Sequence, residues 1–166
     1  MKDTCQTNSF SFKNRKDDLI NWGVVSYVLG ILILVEAGLF AICAGVSVIY
    51  HESCYIHFVW TMLINIVIGG IMVLAGNRKG NSISRRDGYC IVSISWILFT
   101  LLGMLPFYLS GYVPSIADAF FETMSGFTTT GATILDNIES LPHGLLFWRS
   151  FTQLIGGLGI VLFTIA

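Results

Sequence analysis

Four long apolar segments, separated by short polar stretches, constrain this chain more than any other feature of its sequence. They cover residues 19–50, 58–77, 88–109 and 144–166. A membrane-crossing α-helix needs about 20 apolar residues, so the segments predict an all-α membrane protein with four spans. Only 11% of the residues are charged, against about a quarter in a typical soluble domain, which excludes an ordinary soluble fold.

The charged and reactive residues exclude several classes of function. Nine Lys and Arg against ten Asp and Glu give a net charge of −1, so the chain lacks the basic surface that a nucleic acid requires. The four cysteines form no CxxC pattern, and His51 and His57 lack the i, i+4 spacing of a zinc-binding helix. His143 is expected to stand in a loop without a partner. We therefore predict no enzyme activity, no cofactor, no metal site and no nucleic-acid partner.

The basic residues predict how the chain is oriented in the membrane. Eight of the nine lie in the N-terminal stretch 1–18 or in the loop 78–87, and the positive-inside rule puts both on the cytoplasmic side. Two spans separate these regions, so the assignment is self-consistent. It divides the chain into a cytoplasmic tail (1–18), a leading transmembrane pair (19–77), a basic cytoplasmic loop (78–87) and a span–loop–span unit (88–166).

The segment between the third and fourth spans, residues 110–143, is too apolar for an ordinary outer loop. Ser115 can cap a helix whose first turn holds Asp118, the charge sign that a helix N-terminus prefers. Gly126 is a plausible end for this helix. Its roughly 11 residues would reach about 16 Å, which is half-way across a hydrocarbon core of about 30 Å. The sequence therefore predicts a half-helix that enters the membrane from outside.

Three threonines and a glycine, Thr128–Gly131, follow this half-helix. We expect them to return as extended backbone, which survives at membrane depth only inside protein or along a water-filled path. Carbonyl oxygens in such a row can replace the hydration shell of an ion, and the negative end of the half-helix favours a cation there. An acidic outer surface would concentrate cations: Glu52, Asp118, Glu122, Asp136 and Glu139. The alternative is a Thr-rich extracellular loop packed on the helix ends.

Two charges lie inside the apolar segments, and each allows two interpretations. Glu36 either contributes to ion transfer or, as we favour, bonds to another helix or is protonated. Arg149 either snorkels outward or pairs with Glu122 behind the ion path, where an unpaired charge is costly. The 17 residues after Arg149 carry no charge. Since a span that enters the cytoplasm usually ends in basic residues, we expect Ala166 to lie within a longer protein.

Glycine and proline predict the close contacts and bends of the spans. Gly69-Gly70 and the run Gly156–Gly159 lie in apolar segments, where small residues let helices approach closely. Pro106 should bend the third span near its outer end.

Several parts of the sequence resemble TrkH-type potassium-uptake subunits of the Trk/Ktr/HKT superfamily of cation transporters. The most specific match is the string FETMSGFTTTGAT at residues 121–133, in its span context. The resemblance is carried as well by the stretches 88–89, 105–111, 117–120, 139–144 and 147–150. Two extra spans at the start, as in residues 19–77, also fit that family.

The resemblance implies four consecutive units around one pore, of which this chain holds the leading pair and the first. Gly131 matches the filter glycine of the family, and Thr128, Thr129 and Thr130 match residues whose carbonyls bind potassium. The resemblance further implies potassium transport or symport across the bacterial inner membrane. The implied partners are membrane lipid, the three remaining units of the same chain, a second copy in a homodimer and a cytoplasmic nucleotide-binding regulatory subunit.

Two alternatives to this function remain open from the sequence. The chain could assemble as a tetrameric channel, each copy giving one filter segment. It could also be a non-transporting membrane module that serves in assembly or sensing.

Overall fold

The prediction of an all-α membrane protein is confirmed. A computed structural model describes residues 20–76 and 85–165, and the predicted tail 1–18 and most of the loop 78–87 lie outside these ranges. The helices in the described ranges are α1 (Trp22–Ile49), α2 (Tyr55–Ala75), α3 (Arg85–Gly103), α4 (Leu105–Leu109), α5 (Ile116–Phe127) and α6 (His143–Ile165). A single 3-10 turn, Ile138–Ser140, precedes α6. The described residues contain no strand.

Four stretches of helix in the described part of the chain are long and apolar enough to cross a membrane. They are Trp22–Ile49, Tyr55–Ala75, Arg86–Leu109 and His143–Val161. The third combines α3 and α4, which are separated at Met104. Pro106 lies two residues beyond this break, and because proline cannot donate the i→i−4 hydrogen bond, the helix is interrupted near its outer end, where the sequence predicts a bend.

Helices α1 and α2 form a closely packed antiparallel pair. A Cβ placed on Gly69 would lie 3.0 Å from the Gly30 carbonyl oxygen and 3.0 Å from Leu34, so the two backbones meet at this crossing. The prediction of close packing is therefore confirmed for Gly69. It is wrong for Gly70 within the described residues, because no atom lies within 4 Å of a Cβ placed there.

An aromatic core joins this pair to the remaining helices. Phe40 of α1 lies 4.4 Å from Trp148 of α6, measured between ring centroids, and Phe127 at the end of α5 meets the same indole edge-on. The indole nitrogen of Trp148 donates a hydrogen bond to the Gly103 carbonyl, which lies at the α3–α4 break. These three aromatic side chains are at most 1% exposed. The core thus fixes α5 against the spans on either side of it.

Candidate functional site

The predicted half-helix is α5, and its start is the one expected from the sequence. The Ser115 side chain accepts a hydrogen bond from the Asp118 amide at 3.4 Å and caps the first turn. The helix has 12 residues, or about 18 Å. It ends at Phe127, one residue beyond the predicted end at Gly126.

The hydrogen bonds at the end of α5 explain why the helix ends one residue later than predicted. The Thr130 amide donates to the Ser125 carbonyl and the Thr129 amide donates to the Gly126 carbonyl, at 3.0 and 2.9 Å. This pair of bonds is the Schellman motif, in which the residue after the cap is left-handed and usually glycine. Here that residue is Thr129, with φ of 58°. A β-branched residue is strained in this conformation by about 1–3 kcal/mol, and such strain is found mainly at functional sites.

Because of this motif, Thr128–Gly131 begins as a turn, and the prediction of uniformly extended backbone is wrong for its first two residues. Gly131 has φ of 71°, a value that glycine adopts without the steric penalty of a side chain. Its amide donates to the Ser125 carbonyl at 3.3 Å. The amides of Thr129, Thr130 and Gly131 are thus all bonded back to the end of α5.

The carbonyl oxygens of Thr128–Gly131 differ from these amides. Among the residues that the structure describes, none donates a hydrogen bond to them, whereas the next carbonyl, that of Ala132, accepts from the Ser125 hydroxyl at 2.6 Å. All four residues of the segment are exposed. A polar backbone cannot be left facing lipid at membrane depth. These oxygens therefore require a polar partner outside the described chain.

The contacts of the threonine hydroxyls in the segment determine which hydroxyl donates and which accepts. The Thr128 hydroxyl donates to the Met124 carbonyl at 2.8 Å, and its oxygen also lies 2.9 Å from that of Thr130. A hydroxyl has one proton and a carbonyl can only accept, so Thr130 is the donor in the second contact. No described residue donates a hydrogen bond to the Thr130 hydroxyl oxygen, and Thr130 is exposed.

Behind the segment, Glu122 and Arg149 form the expected ion pair. Arg149 Nε lies 2.6 Å from Glu122 Oε1, and the Glu122 side chain is fully buried. The same carboxylate accepts from the Thr133 hydroxyl at 3.0–3.1 Å and from the Ile134 amide at 3.2 Å. The pairing interpretation is therefore confirmed over snorkelling, and one carboxylate connects α5, α6 and the returning chain.

Two glycines allow α6 to approach the half-helix. A Cβ on Gly156 would collide with the backbone of Phe127, and a Cβ on Gly126 would collide with the Thr152 hydroxyl. Close packing is thus confirmed for Gly156. Among the described residues, a Cβ on Gly157 would meet only a Thr129 methyl, at the ordinary contact distance of 3.8 Å, so the prediction of close packing is wrong for that residue within this part of the chain.

On the outer side, the prediction that His143 has no partner is wrong. Glu52 accepts hydrogen bonds from the His143 amide, the His143 Nδ1 and the Gly144 amide, at 2.6, 2.8 and 3.2 Å. The imidazole also stacks on the Tyr50 ring with 4.1 Å between centroids. Glu52 is therefore the N-terminal cap of α6, supplied by the α1–α2 loop. The sequence signal for it was the absence of Ser, Thr, Asn or Asp just before His143.

These contacts lower the pKa of the Glu52 carboxyl. Partial burial raises its pKa, but the hydrogen bonds from His143 and Gly144 favour the carboxylate more strongly, so the pKa is lowered from its ordinary value. Of the outer acids, Glu122 and Glu52 are thus structural partners of α6. Asp118, Asp136 and Glu139 are exposed.

Glu36 lies between α1 and α2, away from the exposed carbonyls. Its Oε2 accepts a hydrogen bond from Asn65 Nδ2 at 3.2 Å, and the two side chains are 2% and 0% exposed. The interpretation that Glu36 bonds to another helix is confirmed. Asn65 was not singled out from the sequence, although an amide within a span is the natural partner of a buried carboxyl.

The four long apolar helices and the short helix α5 between the third and the fourth define a multi-pass membrane protein, and comparison with known proteins identifies its family. The sequence profile of the TrkH family, described as cation transport protein, matches residues 55–166. The chain therefore belongs to the TrkH family of cation transport proteins. This membership agrees with the expectation that the chain is not an enzyme.

Individual relatives extend this match over most of the chain. The Trk system potassium uptake protein TrkH of Salmonella typhimurium is 34% identical over 148 residues, which are 89% of this chain and 31% of the relative. The uncharacterised cation transporter MJ1485 of Methanocaldococcus jannaschii is 36% identical over 139 residues, 84% of this chain and 27% of its own length. The chain thus spans about a third of the curated relatives that it matches.

A solved structure gives the same result for the fold. The crystal structure of the potassium transporter TrkH from Vibrio parahaemolyticus superposes with a TM-score of 0.80 at 31% sequence identity. The match covers 87% of this chain and 31% of that one. The arrangement of spans and half-helix is therefore that of a TrkH membrane protein.

Proposed function

We propose that this chain supplies the leading helix pair and the first of four pore units of a potassium uptake protein of the bacterial inner membrane. In this proposal residues 19–77 are the leading pair and 88–166 the first unit, and Thr128–Gly131 is one quarter of a carbonyl-lined filter. The observation that carries it is the row of four exposed carbonyls in which no oxygen accepts a hydrogen bond within the described chain.

The electrostatics of the segment favour a cation. It follows the C-terminal end of α5, where the helix dipole is negative, and its oxygens carry partial negative charge. Potassium passes a filter when carbonyls replace its water without holding it too tightly. The Thr130 hydroxyl oxygen, whose proton is directed at Thr128, adds a further ligand of the same kind.

One segment cannot surround an ion, so the proposal requires three more. The family resemblance suggests that they belong to the same chain, beyond the third of the relatives' length that is present here. Four copies of this chain around one pore would be the alternative, and cross-linking in membranes separates the two, since only the alternative gives discrete tetramers. Restored potassium uptake by the full-length gene in an uptake-deficient strain excludes a non-transporting module.

The proposal includes an orientation, with the N-terminus cytoplasmic. It is supported by the basic residues of 1–18 and 78–87. In a Cys-free background we expect Ser82→Cys, which lies outside the described residues, to be labelled from the cytoplasm and Asn137→Cys from outside. Labelling of both from one side would contradict it. A cytoplasmic nucleotide-binding subunit and a second copy of the full-length chain are the proposed partners.

The filter assignment is tested with Gly131→Ser in the full-length protein. A side chain there restricts the backbone at φ of 71° and turns the neighbouring carbonyls away from the ion. We expect lower potassium uptake and a partial shift of selectivity towards sodium, because the other three units keep their glycines. The measurement is the ratio of potassium to sodium flux in proteoliposomes of protein that elutes as a folded species.

Gly111→Ser is the matched control for this variant. Gly111 also has a positive φ, 77°, but lies in the outer loop after α4, and no atom is within 4 Å of a Cβ placed there. It carries the same backbone penalty without a contact to the filter segment, so we expect a wild-type flux ratio. A ratio that is unchanged in well-folded Gly131→Ser would remove Thr128–Gly131 from the ion path.

A further inference from the structure

We propose that Ser125 is the positioning residue that orients the Gly131 carbonyl and thereby maintains discrimination between potassium and sodium. This inference rests on the proposed function, since it concerns how the same segment is held. No pattern in the sequence singles out Ser125, a buried residue near the end of the short helix α5.

Ser125 is bonded to the chain on both sides of the Gly131 carbonyl. Its backbone carbonyl accepts from the Thr130 and Gly131 amides at 3.0 and 3.3 Å. Its hydroxyl donates to the Ala132 carbonyl at 2.6 Å, a short distance for a hydroxyl–carbonyl bond. The residue is 6% exposed, so the protein around it fixes the position from which both bonds are made.

The two sets of bonds enclose a single free carbonyl, that of Gly131. Its own amide is fixed on one side, and the carbonyl of Ala132 is fixed on the other. Between these fixed points the chain contains few rotatable bonds, and those of Gly131 are the least restricted because glycine has no Cβ. The Ser125 hydroxyl therefore prevents the Gly131–Ala132 peptide from rotating.

Only the hydroxyl bond depends on the side chain at this position. Any residue at 125 keeps the backbone carbonyl and the Schellman bond from Thr130, so α5 retains its end. Loss of the hydroxyl releases the Ala132 carbonyl and lets the Gly131 carbonyl adopt more than one direction. A ring of oxygens that can move adapts to the smaller sodium ion more readily than a fixed one, so discrimination should decrease.

The experiment compares Ser125→Ala with wild type in the full-length protein, again as the ratio of potassium to sodium flux in proteoliposomes. The loss of one neutral hydrogen bond of ordinary strength should lower this ratio by about two- to tenfold. We expect a rise in the KM for potassium that exceeds any change in maximal rate. Ser125→Thr, which retains a hydroxyl, should recover most of the ratio.

Ser150→Ala is the matched control. Its hydroxyl also donates to a carbonyl of its own helix, that of Leu146 at 3.0 Å, but it lies on the exposed side of α6 and does not contact the segment. We expect wild-type selectivity from it. If the ratio of potassium to sodium flux fell equally in Ser125→Ala and Ser150→Ala, the loss of any hydroxyl would have this effect. That result would overturn the role of Ser125.

The failure of this inference is distinguishable from the failure of the proposed function. A normal flux ratio in folded Ser125→Ala, with a shifted ratio in Gly131→Ser, would overturn the role of Ser125 alone. Normal ratios in both variants would overturn the filter assignment as well. If Ser125→Ala does not fold, Ser125→Cys retains the size and a weaker donor. Its ratio should fall between those of alanine and wild type, and a wild-type ratio would overturn the inference.

Discussion

The helix pair α1–α2 and the region α3–α6 have the same apolar character but use their buried polar groups differently. Between α1 and α2, the Asn65–Glu36 bond joins two regular helices and is enclosed by them. In the second region, Glu122 and Ser125 bond to the irregular chain after α5, and Arg149 of α6 pairs with Glu122. Buried polar groups in the first region fix one helix against another. In the second they hold non-helical backbone, which cannot satisfy its own hydrogen bonds at membrane depth.

Glycine packing shows the same contrast. Gly30 and Gly69 bring two complete spans together, whereas Gly156 brings a span against the last residue of a half-helix. A disturbance of the first contact shifts a helix relative to its neighbour. A disturbance of the second shifts the residues that precede the exposed carbonyls. The two regions should therefore respond differently when similar contacts are broken.

The largest effect should come from breaking the Glu122–Arg149 pair. Glu122→Gln and Arg149→Gln each leave a buried charge without its partner, which costs about 3–5 kcal/mol, so transport and the yield of folded protein should fall. The double variant should be less impaired than the sum of the two single variants. The measurement is a double-mutant cycle of thermal stability and potassium flux.

Glu139→Gln is the control for this cycle, because it removes the same charge from an exposed residue of the outer surface. It should leave stability within about 0.5 kcal/mol of wild type. Strictly additive losses for Glu122→Gln and Arg149→Gln would show that the two side chains do not interact.

A smaller effect is expected from overpacking the two glycine contacts. Gly156→Ala and Gly30→Ala should each destabilise the protein by about 1–3 kcal/mol, since a Cβ at either position meets backbone atoms. Only Gly156→Ala should also alter the ratio of potassium to sodium flux. The matched controls are Gly157→Ala, whose Cβ would make only an ordinary contact of 3.8 Å with a Thr129 methyl among the described residues, and Gly38→Ala, whose Cβ would have no described neighbour within 4 Å. An altered ratio in Gly30→Ala would remove the functional distinction between the regions.

The next largest effect is expected when Glu52 is replaced, because this residue of the α1–α2 loop caps α6. Loss of a helix cap costs about 0.5–2 kcal/mol, so Glu52→Ala should lower the melting temperature at pH 7. The lowered pKa of Glu52 means that its contribution is present above the ordinary carboxyl pKa and is lost as pH falls through the folded value. The difference in melting temperature between wild type and Glu52→Ala should therefore become smaller as the pH falls from about 5 to about 3.

Asp136→Ala provides the comparison for this titration, because Asp136 is exposed and lies on the same outer surface. It should change the melting temperature little at either pH. If Glu52→Ala lowered the melting temperature as much in acid as at pH 7, the charge of the carboxylate would not contribute to the cap.

The smallest effect is expected from Glu36→Gln. The Glu36 Oε1 and the Asn65 Oδ1 are both buried without a hydrogen-bond partner in the described chain, and a proton on the carboxyl would supply the missing donor. Glu36→Gln, which has the same shape and a donor at this position, should therefore be nearly neutral. Glu36→Leu leaves Asn65 unpaired and should cost about 1–3 kcal/mol. A thermal shift for Glu36→Gln as large as that for Glu36→Leu would show that the carboxyl is ionised.

Much of the fold was predictable because it depends on local sequence. The spans follow from long apolar segments, the break in the third span from Pro106, and the start of α5 from Ser115 and Asp118. The end of α5 was misjudged by one residue, because a threonine takes the left-handed position at which glycine is usual. The partner of His143 was missed because Glu52 lies far away in the sequence.

The sequence by itself determined which segments cross the membrane and where the half-helix begins, since hydrophobic length and capping act over a few neighbouring residues. Only the tertiary structure decided which of the paired glycines makes a close contact, because that contact depends on atoms from another helix. Only the three-dimensional structure of the turn after α5 decided that Ser125 bonds to Thr130, Gly131 and Ala132. It also decided that no described residue donates a hydrogen bond to the carbonyls of Thr128–Gly131, because a pattern of residue types does not specify the backbone angles on which these bonds depend.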